Sequence, residues 1–205
     1  YFSELFTILK DSKEINTMIC SKLYIMGTPN QIFSMGGTFN SQSGEMYINN
    51  HQLFDTEEFN HKRYIDWDGG MGTVIHKTIF EDIGLFDHIN FPQYKGDSDF
   101  CIRAKNNGYK LLLYPSLKIW NDISSSGTTY PSDIEAFINS FTDLRSRYNI
   151  IIDYRFYKKH IQSKLYLFKI FIKYFRYMFL FLVYKFIGGN NFNKIQKIYL
   201  KKKFN

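Results

Sequence analysis

The stretch from Trp67 to Asn107, WDGGMGTVIHKTIFEDIGLFDHINFPQYKGDSDFCIRAKNN, constrains the fold more than any other part of the chain. It opens on a turn containing Gly69, Gly70 and Gly72, where missing Cβ atoms let the backbone approach a ligand or a neighbouring strand. A helix is predicted from about Lys77 to Ile83, with Ile79, Phe80 and Ile83 at helical spacing and Gly84 as its C-terminal stop. A second helix follows Gly96-Asp97-Ser98-Asp99, with Asp97 expected at the N-cap, Phe100, Cys101 and Ala104 on the inner face, and Asn107-Gly108 at the end. A carboxylate is thereby carried on a rigid element.

Around this centre the periodicity alternates between strand and helix. Phe2, Leu5, Phe6 and Leu9 share one helical face between Tyr1 and Asp11, and Ile15 to Met26 reads as a buried strand ending at the turn Gly27-Thr28-Pro29-Asn30. Gln31 to Asn40 and Glu45 to Leu53 are expected to form a hairpin through Ser41 to Gly44. Asp55 to Lys62 reads as a polar, mobile loop and Arg63 to Trp67 as a short strand. Tyr109 to Tyr114 and Leu117 to Trp120 are predicted as two short strands around Pro115, with a loop at Ser124 to Gly127. Ile134, Phe137, Ile138, Phe141 and Leu144 trace the apolar face of a helix from Pro131 to Tyr148, expected to pack on the sheet. Such alternation is the pattern of an α/β layer fold.

The order of these pieces, a glycine turn, a helix ending in IGLFD, an acidic pair leading into DFCIRAKNNGYK, then a strand with Pro115, resembles the acceptor half of family 2 glycosyltransferases of the GT-A fold. The resemblance runs from about Tyr1 to His160 and implies a partial GT-A mixed sheet flanked by helices, with further amphipathic helices after it. It also implies inverting transfer of a sugar from a nucleotide-diphosphate donor to a glycan or lipid-linked acceptor, usually with Mg²⁺ or Mn²⁺. The family's nucleotide-binding half and its metal-binding D-x-D precede the position matched by Tyr1, so the main metal ligands are expected upstream. Asp66-Trp67-Asp68 and Asp97-Ser98-Asp99 fall at acceptor-side positions and are not read as that motif.

By resemblance Asp97 is the catalytic base; by local pattern it is a helix N-cap, and one residue can do both. Gly96 stands where the family usually has Glu. Substrate-binding roles are expected for Trp67, Asp68, Gly69, Gly70, Gly72, Asp99 and Arg103. Two of these have a structural alternative: Trp67 as a core indole rather than a sugar platform, and Asp99 four residues before Arg103 as a helical ion pair. Where relatives carry a metal-binding His after the Pro115 strand, this chain has Trp120-Asn121, and Asn121 is a candidate metal ligand or a strand-end amide bonded to local backbone. The five histidines show no ligand spacing, and Cys20 and Cys101 are expected as reduced, buried thiols, which argues against zinc and covalent hydrolysis.

Charge separates the chain into two parts. From Arg155 onward lie thirteen of the twenty-six Lys and Arg and none of the nineteen Asp and Glu, about +13 there against −6 before it. A domain from 1 to 160 and a basic, aromatic tail from 161 to 205 are therefore expected. Leu165 to Ile187 places Lys169, Lys173 and Arg176 on one stripe amid phenylalanines, and its uncharged run from Tyr177 to Tyr184 is too short to span a bilayer. An interfacial helix on an anionic membrane is the expectation, with Lys201 to Lys203 adding attraction; packing on the enzyme or on a second subunit, hence a homo-oligomer, is the alternative. No nucleic-acid motif is present.

The sequence thus predicts a membrane-associated transferase of cell-surface polysaccharide synthesis, cytoplasmic and peripheral on the inner face of the membrane. Its rival is a non-catalytic membrane-binding or assembly module.

Overall fold

The computed structural model describes residues 1–11, 16–123, 131 and 133–187. The expected loop at 124–127 and the lysines at 201–203 lie outside them. The chain divides into two compact units, Tyr1–Ser126 and Gly127–Asn205.

The first unit is a mixed α/β structure built on a central strand. β1 (Thr17–Ile25) is buried at all nine positions, as expected of a strand covered on both faces. It pairs in parallel with β6 (Lys110–Asn121) and antiparallel with the short β2 (Ile32–Ser34), while β5 (Arg63–Tyr64) adds to the far side of β6. One face of this sheet packs Met18, Cys20, Leu111 and Leu113 against Ile79 of α2 (Lys77–Ile83) and Phe100, Cys101 and Ala104 of α3 (Gly96–Asn106). The other face packs Ile19, Tyr114 and Leu117 against Leu5 and Ile8 of α1 (Phe2–Asp11). Two separate apolar clusters therefore sandwich one strand pair.

Three expectations change at this level. The two strands around Pro115 are one strand, because the β1–β6 register jumps from Ser21↔Tyr114 to Lys22↔Lys118. The extra residues place the proline, which has no N–H for the ladder, in a bulge. The hairpin after residue 31 forms, with β3 (Gly37–Asn40) and β4 (Glu45–Ile48) as its regular ladder and Ile32 N–H bonding the Leu53 carbonyl at 2.8 Å nearer its base, but β2 is shared, since it also pairs with β1. The loop at 55–62 is anchored, since the fully buried Lys22 forms an ion pair with Asp55 and also reaches the Phe59 carbonyl at 3.3 Å.

The second unit is helical. α4 (Ile134–Asn139) is short, so the helix expected from 131 to 148 stops at Asn139, and α5 (Ile150–His160) follows as a separate helix. Asp133, two residues after Pro131, caps α4 by accepting from Ala136 N–H at 2.8 Å. Beyond Asn139 the side chains of Asp143, Ser146 and Asn149 accept from nearby backbone N–H groups, which competes with helical bonding. Within this unit Phe137 of α4 stacks on Phe181 of α6 (Tyr166–Ile187) with centroids 4.1 Å apart. The packing boundary consequently falls at 126/127, ahead of the boundary expected at 160.

Candidate functional site

Asp97 lies in the first turn of α3, but it is not the cap. The helix starts two residues earlier than expected, with Lys95 at the N-cap in a left-handed conformation, φ 72°, and its carbonyl accepting from Asp99 N–H at 2.8 Å. The Asp97 carboxylate is consequently released from backbone duty. It points to Gly70, where φ is +76° and a Cβ would stand 2.8 Å from Asp97 Oδ1. Only glycine allows both that conformation and that approach.

Asp97 and Gly70 border a cavity of about 400 Å³. Its apolar wall is a cluster of Phe80, Phe86 and Phe100, with the Phe86 and Phe100 rings 4.6 Å apart. Met18, Ile75 and Cys101 contribute the floor, and Thr73 is the only neutral hydroxyl among the lining residues described. Asp97 is itself open to solvent at the mouth.

Electrostatics distinguish this carboxylate from an ordinary surface one. Burial by the surrounding protein, and secondarily the negative charge of Asp68, push Asp97 up to about 6. Asp68 is fully buried, and burial raises it too, although Gly69 N–H donates to its Oδ1 at 2.9 Å and the Thr73 hydroxyl to its Oδ2 at 2.9 Å. Burial likewise raises the Cys20 thiol and takes Cys101 up to about 12, so both thiols stay protonated at neutral pH and neither is a nucleophile. No cation lines the cavity among the described residues. A carboxylate poised near neutrality, next to a concave apolar wall, is equipped to accept a proton from a bound hydroxyl.

The other residues singled out in the sequence divide between this site and the scaffold. Trp67 is half-buried, its indole covering Gly37 and donating to the Thr38 carbonyl at 3.2 Å, so its inner face belongs to the core. Gly72 fits against Ser21 and Ile119, and its carbonyl accepts from the Ser21 hydroxyl at 2.7 Å and from Tyr1 at 3.0 Å. The Gly69 amide turns inward to Asp68. Asp99 is fully buried and receives Arg103 Nε at 2.9 Å, while Arg103 Nη1 and Nη2 donate to the carbonyls of Ile83 and Leu85, satisfying the end of α2. Of the eight, Asp97, Gly70 and Asp68 form one electrostatic group; Trp67, Gly69, Gly72, Asp99 and Arg103 brace it.

Asn121 ends β6, where its carbonyl accepts from Met26 N–H at 2.9 Å, and it does not line the cavity. Among the described residues no group of three His, Cys, Asp or Glu side chains could hold a metal ion. The lining residues described do not by themselves supply the oxygen ligands of a hard divalent cation. Sequence reading missed Phe80 and Phe86 as cavity wall, because a phenylalanine at helical spacing has the same signature whether it faces a core or a cleft. It also missed Tyr24 and Trp120, whose rings stack 5.5 Å apart at the other end of the sheet, leaving the indole exposed. No protein-family model and no curated protein matches the chain.

Proposed function

We propose that the first unit carries the acceptor side of an inverting glycosyltransferase and that Asp97 is its base. The reading is carried by one observation, the carboxylate raised to about 6 at the mouth of a cavity that no cation lines among the described residues. In the reaction Asp97 takes the proton of an acceptor hydroxyl as that oxygen attacks the anomeric carbon of a nucleotide-diphosphate sugar. The nucleoside diphosphate leaves with the bonding electrons. The apolar wall of Phe80, Phe86 and Phe100 excludes water from one side of the base, and the acceptor is a glycan or a lipid-linked sugar. Order and spacing from Trp67 to Asn121, together with the mixed sheet flanked by helices, support a GT-A identity for this unit.

The same absence of lining cations favours a second reading, a non-catalytic assembly module, because a diphosphate normally calls for positive charge or clustered backbone amides. Titration of UDP-, dTDP- and GDP-sugars into the full-length protein, followed by acceptor-dependent release of nucleoside diphosphate, separates the two. Asp97→Asn is expected to lower kcat by about 10²- to 10⁴-fold while leaving nucleotide-sugar affinity within about threefold. The wild-type kcat/KM should fall on the acid side with an apparent pKa near 6. Turnover by Asp97→Asn at the wild-type rate sinks the assignment of the base, and absence of any nucleotide-sugar binding sinks the transferase.

A further inference from the structure

The second unit presents a surface that sugar transfer does not explain. α6 is 22 residues long, about 33 Å at 1.5 Å per residue, and it carries two apolar stripes. Ile170, Tyr174, Tyr177 and Phe181 recur at spacings of four, three and four, and all are buried. Tyr148 stacks on Tyr177 at 3.6 Å, Phe137 on Phe181, and the Tyr174 hydroxyl donates to Asp153 at 2.8 Å. This face of the helix is complete.

The second stripe is Phe168, Phe171, Phe175, Phe179, Leu182 and Phe186. These residues recur at three- and four-residue spacing along the whole helix and are 48% to 90% exposed. At 100° per residue the stripe is centred roughly 130° from the buried one, so α4 and α5 do not account for it. Six such side chains leave on the order of 700 Å² of contiguous apolar surface, more than the few hundred Å² that single-molecule surfaces ordinarily expose. Such a stripe requires an occupant.

Charge identifies which. Arg176 lies along one border of the stripe and Lys185 along the other, both exposed, with half-buried Lys169 beside Arg176. No acidic residue occurs from Arg155 to the end. Lys173, expected with Lys169 and Arg176 on a headgroup-facing stripe, instead turns inward and pairs with Asp153, which leaves the cations of α6 at the margins of the phenylalanine stripe. A second copy docked here would bring two uniformly basic surfaces together. An anionic bilayer offers acyl chains to the stripe and phosphates to its margins, and no helix among the described residues is long and apolar enough to cross a membrane.

We propose that α6 is an in-plane membrane-docking helix, its Phe168–Phe186 stripe lying at the acyl boundary of an anionic leaflet with Lys169, Arg176 and Lys185 at the headgroups. The inference stands on this surface alone and does not rest on the sugar-transfer reading. It is tested by flotation of the full-length protein with phosphatidylcholine vesicles and with vesicles containing about 30% phosphatidylglycerol. Wild type floats with the anionic vesicles, and its partitioning falls at least tenfold when salt is raised from 0.1 to 0.5 M. Phe171→Asp/Phe175→Asp, placed on exposed positions, lowers partitioning at least tenfold with an unchanged circular dichroism spectrum and Tm. Arg176→Glu/Lys185→Glu lowers it at least threefold, and Asp97→Asn leaves it unchanged. Flotation of the double Phe variant at the wild-type level overturns the proposal, because basic segments outside the stripe would then suffice. Failure of wild type to float, with a dimer in sedimentation that Phe175→Asp dissociates, overturns it in favour of a second copy.

Discussion

The two halves of β1 treat a carboxylate in opposite ways. Towards the C-terminal end, Lys22 and Tyr24 face Asp55; the lysine pairs with it and the tyrosine hydroxyl donates to it. Burial alone would raise Asp55, but those hydrogen bonds and the lysine charge outweigh it and hold the carboxyl below its usual value. Towards the N-terminal end, on the same face by strand alternation, Met18 and Cys20 adjoin Asp97 and Asp68, where no cation among the described residues lines the cavity and both carboxyls are raised. One face of the strand thus adjoins a carboxyl held low and, nearer its start, two held high. What separates them is whether the fold supplies a counter-ion.

The largest expected effect comes from breaking the paired half. Asp55→Asn leaves the fully buried Lys22 ammonium without its anion and should cost about 3–5 kcal/mol in urea denaturation. Adding Lys22→Met to that variant should recover more than half of the loss, since the cost lies in the orphaned charge rather than in the missing pair. If the double variant is no more stable than the single one, the pair is not the reason this half is stable.

A smaller effect is expected at the turn that brings Asp97 into place. Gly70→Ala meets both a positive φ and the Asp97 carboxylate, and should destabilise by about 1–2 kcal/mol. It should also move the Asp97 titration, followed by carbon-13 NMR of the carboxyl, away from about 6. An unmoved titration would show that Gly70 does not set the carboxylate's surroundings.

The smallest effect sharpens the contrast through pH. Asp55, held low, contributes stability that is present at neutral pH and is lost as the pH falls below the ordinary carboxylate range. Asp97, held high, does the reverse: the folded state keeps its proton between about 4 and 6, so stability declines across that window as pH rises and the carboxylate ionises. Asp97→Asn should flatten that decline and gain relative to wild type at pH 7 compared with pH 4. Because Asp97 is open to solvent on one side, the change is a modest shift in denaturation midpoint; parallel curves for the two proteins would place the titration elsewhere.

Local signals were legible wherever a residue's role depends on its neighbours in sequence. The span of α2 with Gly84 after it, the buried β1 with its turn at Gly27 to Asn30, and the length of α6 follow from periodicity and punctuation that short-range sterics enforce. The Asp99–Arg103 pair was legible for the same reason, being one helical turn apart. At the candidate site only Asp97 and the glycine turn could be read, and Asp97 was read with the wrong local partner. Whether the helix begins at Gly96 or at Ser98 depends on Lys95 adopting a left-handed conformation, which no periodicity reports.

By itself the sequence determined the alternation of elements, the rigid placement of an acidic residue after a glycine turn, and a charge division at about Arg155. Tertiary structure alone decided which carboxylates meet a cation, which of the α6 lysines turns inward, which phenylalanines line a cleft, and which remain exposed along α6. The physical reason is one of range. Steric and hydrogen-bonding preferences act over four or five residues and are written in order, whereas burial and electrostatic pairing join residues as distant as Lys22 and Asp55 or Gly70 and Asp97. Those pairings exist only once the sheet and helices have brought them together.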